Sequence, residues 1–249
     1  MKPHPFFRSA RQAKLFALLL LSTLFCFALI GVRLHLLGID LAEVQSTQDL
    51  LALKSTSTFL FLVWNLFLAW MPYGLALTAG FWYRRRGWSA FTVVLLLAWL
   101  FFFPNAPYIL TDLLHLRGRH PVPHWYDLML IVSFAWTGLL LGYLSLFEVQ
   151  GLIQQRWNRV IAWLSSTVAI FLCGLGSYLG RYLRWNSWDI LRQPQRIVGD
   201  AWRSLVDPSG QTGEGIIWVS AGFLFIGYLT LVVLMGQDEP QNHPSCNEV

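Results

Sequence analysis

Six mostly apolar runs, at 15–37, 58–83, 89–108, 126–147, 160–180 and 215–236, leave this 249-residue chain few ways to fold. Each is about as long as the roughly 20 residues that a helix needs to cross a bilayer. Hydrocarbon offers no partner to a backbone N–H or C=O, so a lipid-exposed spanning segment closes its hydrogen bonds within itself. The expected fold is therefore all-α: a polytopic membrane protein with six transmembrane helices. With 55% hydrophobic and 12% charged residues and a mean hydropathy of +0.50, the chain is too apolar for a soluble domain of this length.

The runs imply a single integral membrane domain, 1–249, with a basic N-terminal segment 1–14 and a disordered acidic, proline-containing tail 237–249. The first run outlasts a signal-peptide core and lacks an A-x-A cleavage site, so it reads as an uncleaved anchor. Thr23-Leu24-Phe25 before Cys26 makes a poor lipoprotein cleavage site. Cys26, Cys173 and Cys246 lie too far apart for a C-x-x-C pair or a disulfide framework, and the first two fall in apolar runs as packing residues.

A net charge of +5 raises the question of nucleic acid. The basic residues are scattered through short connections, and no RNP, zinc-finger or helix-turn-helix signature accompanies them, so no nucleic-acid partner is expected. They orient the protein instead. Placing the N-terminus inside gives nine inner and nine outer Lys and Arg, a tie that position resolves. Lys2, Arg8, Arg11 and Lys14 precede the first span and Arg84-Arg85-Arg86 fills a tight turn, whereas five outer charges open the longest connection. Short segments beside span ends weigh most. The expectation is a bacterial cytoplasmic (inner) membrane protein with both termini in the cytoplasm.

Gly138 with Gly142 and Gly176 with Gly180 are small-xxx-small pairs, expected to let helix backbones approach, and Pro72 should kink the second span. The first three spans do not repeat in the last three, which disfavours an inverted-repeat transporter.

Polar groups gather at two places. Pro104 interrupts the third span, and a short helix restarting at Pro107 places Tyr108, Thr111, Asp112 and His115 at i, i+3, i+4 and i+7 on one face. A carboxylate one turn from an imidazole suits proton transfer or a share in a metal ion, so Asp112 and His115 are the catalytic candidates. The same pair also suits a helix face wetted by lipid head groups. The second gathering, Ser177 to Asp189, carries Arg181 and Arg184, guanidinium forks suited to phosphate or carboxylate, among Tyr182, Trp185 and Trp188, residues typical of the interface. Asn65, Asn105, Tyr108, Asp127, Arg181, Arg184, Asn186 and Asp189 are the binding candidates. Asn65 lies inside a span and needs a partner there. Asp127 opens the fourth span, where a carboxylate favours a helix N-terminus without any further function. After Pro194, Val198, Trp202 and Leu205 share one face and Arg196, Asp200 and Arg203 another, the pattern of an outer amphipathic helix.

Trp64 to Pro72, Phe103 to Tyr108 continuing to Asp112 and His115, Asp127 to Leu146, and Gly180 to Asp189 resemble the bacterial family described as domain of unknown function 1361, over about residues 50 to 235. The resemblance implies a multi-pass membrane protein and a set of motif positions, not a reaction. No G-x-S-x-G, H-E-x-x-H, P-loop or G-x-G-x-x-G is present, so no cofactor is evident, while a divalent metal stays open. The partners expected are the lipid bilayer and an anionic lipid or lipid-linked substrate at the extracytoplasmic face; protein partners are not specified. The alternative is a non-catalytic membrane scaffold or partner subunit, with a small-solute carrier third. Val93 to Leu100 and Val168 to Leu172 are almost wholly apolar, which counts against a carrier.

Overall fold

The computed structural model describes residues 7, 9–38, 59–115, 122–185, 189–206 and 213–236, and over these the protein is helical. In order these are α1 (Ala10–Leu36), α2 (Phe61–Arg86), α3 (Ala90–Phe102), the short α4 (Asn105–Tyr108) and a 3-10 helix (Ile109–His115). After them come α5 (His124–Arg156), α6 (Arg159–Arg181), the short α7 (Asp189–Arg192), α8 (Pro194–Val206) and α9 (Gly213–Gly236). Among the described residues six segments are long and apolar enough to cross a membrane: α1, α2, α3 continued to Leu113, α5, α6 and α9. The protein is a multi-pass membrane protein. The start of α1 meets the end of α9, where Arg11 Nη1 donates to the Met235 carbonyl at 3.0 Å. The expected tail and the first loop lie outside the described residues.

Local chemistry sets the helix ends. Ser9, Ser89 and Asn158 are extended N-caps whose side chains accept from the backbone N–H three residues on, each stabilising its helix by about 1 kcal/mol. Gly87, at φ +69°, turns the chain from α2 into α3 in a conformation that a β-carbon would strain. Pro72 is buried inside a continuous α2.

The axis of the bundle is α5: two thirds of its most apolar window is buried, against about a fifth for α1 and α9. Helices α1, α2 and α6 pack directly on it, α3 lies against α2, and α9 lies against α6. Outward faces of α1 and α9, with Leu21, Leu24, Val219 and Ile226 exposed, present hydrocarbon to lipid.

The four glycines expected to let helix backbones approach do so at one place: from two sides they seat the interruption after α3. A β-carbon added at Gly138 would stand 2.6 Å from the Ala106 carbonyl oxygen, and one at Gly142 3.3 Å from Ala106 Cβ. From α6, one at Gly176 would meet Pro104 Cβ at 3.2 Å and one at Gly180 the Tyr108 ring at 3.2 Å. Gly174, in the same helix, instead admits the α9 backbone at Ile217. Gly138→Ala should therefore destabilise the bundle by about 1–3 kcal/mol, the usual cost of overpacking. Gly31→Ala, with open space around its β-carbon, should not. Thermal unfolding of the two purified variants in detergent makes the comparison, and equal melting temperatures would refute the seating argument.

Candidate functional site

Proline has no N–H and its ring clashes with the preceding turn, so α3 ends at Pro104. The helix restarts earlier than expected, at Asn105 and not at Pro107. First-turn N–H groups have no intrahelical acceptor, so Pro107 costs that turn nothing. The Asn105 side-chain amide donates to the Phe102 carbonyl at 3.0 Å, and Ala106 N–H to Phe103 O at 3.2 Å, covering carbonyls that the broken helix exposes.

From Ile109 the winding tightens to a 3-10 helix. Three residues per turn bring positions i and i+3 onto one face. Asp112 thus shares its face with fully buried Ile109, while Thr111 stays half-buried on another. The expected α-helical stripe of Tyr108, Thr111, Asp112 and His115 does not form, because it assumed 3.6 residues per turn. Asp112 turns into the bundle and is 1% exposed. Of His115 only the backbone lies within the described residues.

Two neighbours receive the Asp112 carboxylate. Asn65 Nδ2, from α2, donates to Oδ2 at 2.8 Å. Arg181 Nη1, at the end of α6, stands 3.5 Å from Oδ1. The same guanidinium donates through Nη2 to the Thr111 carbonyl and lies 5.9 Å from the Tyr108 ring centroid. One arginine thereby clamps the side chain, backbone and ring of a segment that has left the α-helical bonding pattern. The Asn65 amide, expected to need a partner inside the bundle, finds it here.

Beside this network opens a cavity of about 320 Å³. Asn65, Asn105 and Tyr108 contribute its polar lining, and Leu68, Phe101, Phe102, Leu179 and Ile197 much of its apolar lining. Trp64 and Trp185 also border it, and Trp185 donates through Nε1 to Asp200 Oδ2 at 3.0 Å, tying the segment after α6 to α8. In α8, Val198 and Trp202 are both 67% exposed, as expected of a helix with one apolar face turned outward.

Five of the ten candidates converge: Asn65, Asn105, Tyr108, Asp112 and Arg181. Arg184 is exposed, with φ +57°, in the segment that leaves α6. Asp189 opens α7 half-buried, its carbonyl accepting from Gln193 N–H at 2.7 Å, and Asn186 lies outside the described residues. Among the described residues no three His, Cys, Asp or Glu side chains cluster closely enough to hold a metal ion.

Asp127 belongs to a separate ion pair. Arg33 of α1 donates through Nε to Oδ1 at 2.9 Å and through Nη2 to Oδ2 at 3.0 Å, with both side chains fully buried. The guanidinium also lies 4.4 Å from the Phe59 ring centroid, and Tyr126 hydroxyl donates to the Leu29 carbonyl at 2.7 Å. Reading Arg33 only as an orienting charge overlooked this pairing. Its position inside an apolar run was the available signal, since a charge at that depth needs a partner.

A family model described as "Protein of unknown function (DUF1361)" matches residues 64–235. The chain belongs to this family. Comparison with curated proteins and with solved structures finds no match. The matched region holds the whole Asn65, Asn105, Tyr108, Asp112 and Arg181 network and Asp127, but not Arg33.

The bidentate pair makes a sharp prediction. Arg33→Met or Asp127→Leu alone strands a buried charge and should cost about 3–5 kcal/mol, whereas the double variant should recover most of that loss. Unfolding of the three variants in detergent measures the coupling, and strictly additive losses would refute it.

Proposed function

We propose that the face bearing Asp112 and Arg181 binds the polar head of an anionic lipid or lipid-linked substrate, on the extracytoplasmic side of a bacterial cytoplasmic membrane. The observation that carries this reading is the cavity itself, in which amides and a phenol meet apolar walls beside a guanidinium. Such a lining suits an amphiphile, with the head against Asn65, Asn105 and Tyr108 and the chain along Phe101, Phe102 and Leu179.

Arg181 supplies the cation. Its 3.5 Å contact with Asp112 is long beside the 2.9 and 3.0 Å contacts of Arg33 with Asp127. A phosphate oxygen can therefore compete for a guanidinium that is 14% exposed. Asp112 holds that guanidinium in place, and a proton-handling role for Asp112 with His115 belongs to the same proposal. Arg181→Gln and Asn105→Ala should each weaken photocrosslinking to an anionic phospholipid about tenfold, or about 1.4 kcal/mol. Crosslinking at the wild-type level in both would remove the proposal.

The second reading, a non-catalytic scaffold, is favoured by one feature: the partners of Asp112 are the protein's own groups. It expects Asp112→Asn to lower the melting temperature while wild-type protein captures no lipid.

Orientation has its own test. In a cysteine-free background, Arg184→Cys should react with a membrane-impermeant maleimide added outside intact cells. Labelling only after permeabilisation would invert the proposed sidedness.

A further inference from the structure

The face where α1 begins and α9 ends, away from the Asp112 network, holds a larger cavity of about 570 Å³. It is bordered by α1, α2, α5, α6 and α9. Because α1 packs on α5 while α9 packs on α6, these two peripheral helices flank a cleft over the last third of α5. Their ends approach where Arg11 donates to the Met235 carbonyl.

The two signs of charge in this cavity occupy different places. Arg11 and Arg159, both exposed, stand at helix starts on the rim. Glu148, half-buried, lies eight residues before the end of α5, about 12 Å inward at 1.5 Å per residue. Gln12 and Gln150 line the cavity and are each 6% exposed, and the Tyr228 hydroxyl donates to Gln150 Oε1, which orients that amide. Below them Leu15, Leu144 and Val232 give an apolar wall. This volume falls within the usual 300–1,000 Å³ of small-ligand sites.

A chamber with two guanidiniums at its mouth, a carboxylate and two amides deeper in and an apolar wall matches an amphiphile whose head group carries both signs. We infer that this cavity is a second lipid site, for a phospholipid whose head combines a phosphate with a primary ammonium. The phosphate meets Arg11 and Arg159 at the rim. The ammonium turns inward to Glu148 and the glutamine carbonyls, and the chains leave along the exposed faces of α1 and α9. Charge-assisted N–H bonds to a carboxylate require ammonium hydrogens, so the site discriminates against the trimethylated head group of phosphatidylcholine. This inference does not depend on the Asp112 site.

The test is native mass spectrometry of the full chain released from nanodiscs of equimolar phosphatidylethanolamine, phosphatidylcholine and phosphatidylglycerol. Wild-type protein should retain phosphatidylethanolamine several-fold over phosphatidylcholine. Glu148→Gln should abolish that preference while phosphatidylglycerol retention persists. Arg159→Gln, at an exposed position, should reduce retention of both phosphatidylethanolamine and phosphatidylglycerol. Arg181→Gln, which probes the other face, should leave the phosphatidylethanolamine preference unchanged. Equal retention of phosphatidylethanolamine and phosphatidylcholine by wild type, or an unchanged preference in folded Glu148→Gln, would overturn the inference.

Discussion

Everything at the Asp112 face follows from one constraint: a helix that stops inside a bundle exposes backbone groups that hydrocarbon will not satisfy. Pro104 creates the problem, and the surrounding residues resolve it in a fixed order. Asn105 covers one carbonyl of α3, the 3-10 winding recovers local bonds, and Arg181 reaches from α6 to the Thr111 carbonyl. Gly138 and Gly142 on one side and Gly176 and Gly180 on the other remove the bulk that would keep α5 and α6 from closing over the break. The polar network and its cavity exist where they do because the backbone had to be held there.

Two carboxylates on this side of the protein show how differently a membrane protein handles buried charge. Asp127 is locked in a short bidentate pair with Arg33 that joins α1 to α5 with no exposed surface, a geometry suited to fixing one helix against another. Asp112 shares its charge between an amide and a longer arginine contact, next to a cavity. The first pair is architecture. The second keeps a partly exposed guanidinium beside a space large enough for a ligand, which is the physical basis for placing recognition there.

Much of this was legible in the sequence, and the exceptions have physical causes. Six spans, the break at Pro104, the amphipathic α8 and the partnering of Asn65 follow from apolar run length, proline chemistry and the cost of an unpaired amide. Helix winding after the break did not: spacing arguments assume 3.6 residues per turn, and the chain winds more tightly from Ile109, which moves Asp112 to another face. Pairing over long separations was also invisible, because neither Arg33 nor Asp127 names its partner across 94 positions. The glycine pairs announced close packing correctly but not its object, since a small-xxx-small spacing specifies a groove and says nothing of what fills it.

One cavity opens beside the break after α3 and the other over the last third of α5, and the packing around α5 bears on how the protein works. Trp99 and Phe103 from α3, Leu139 and Leu146 from α5, Ile170 and Cys173 from α6, and Leu224 and Tyr228 from α9 are packed into one buried cluster. Trp99 is pinned there by donation to Ser145 Oγ at 3.2 Å, and Ser145 in turn donates to the Gly142 carbonyl at 2.8 Å. A solute crossing from one cavity to the other would have to displace this aromatic plug and separate α3 from α5 just below the glycine seats that hold the break closed. The same packing that builds the Asp112 face therefore seals it from the other side.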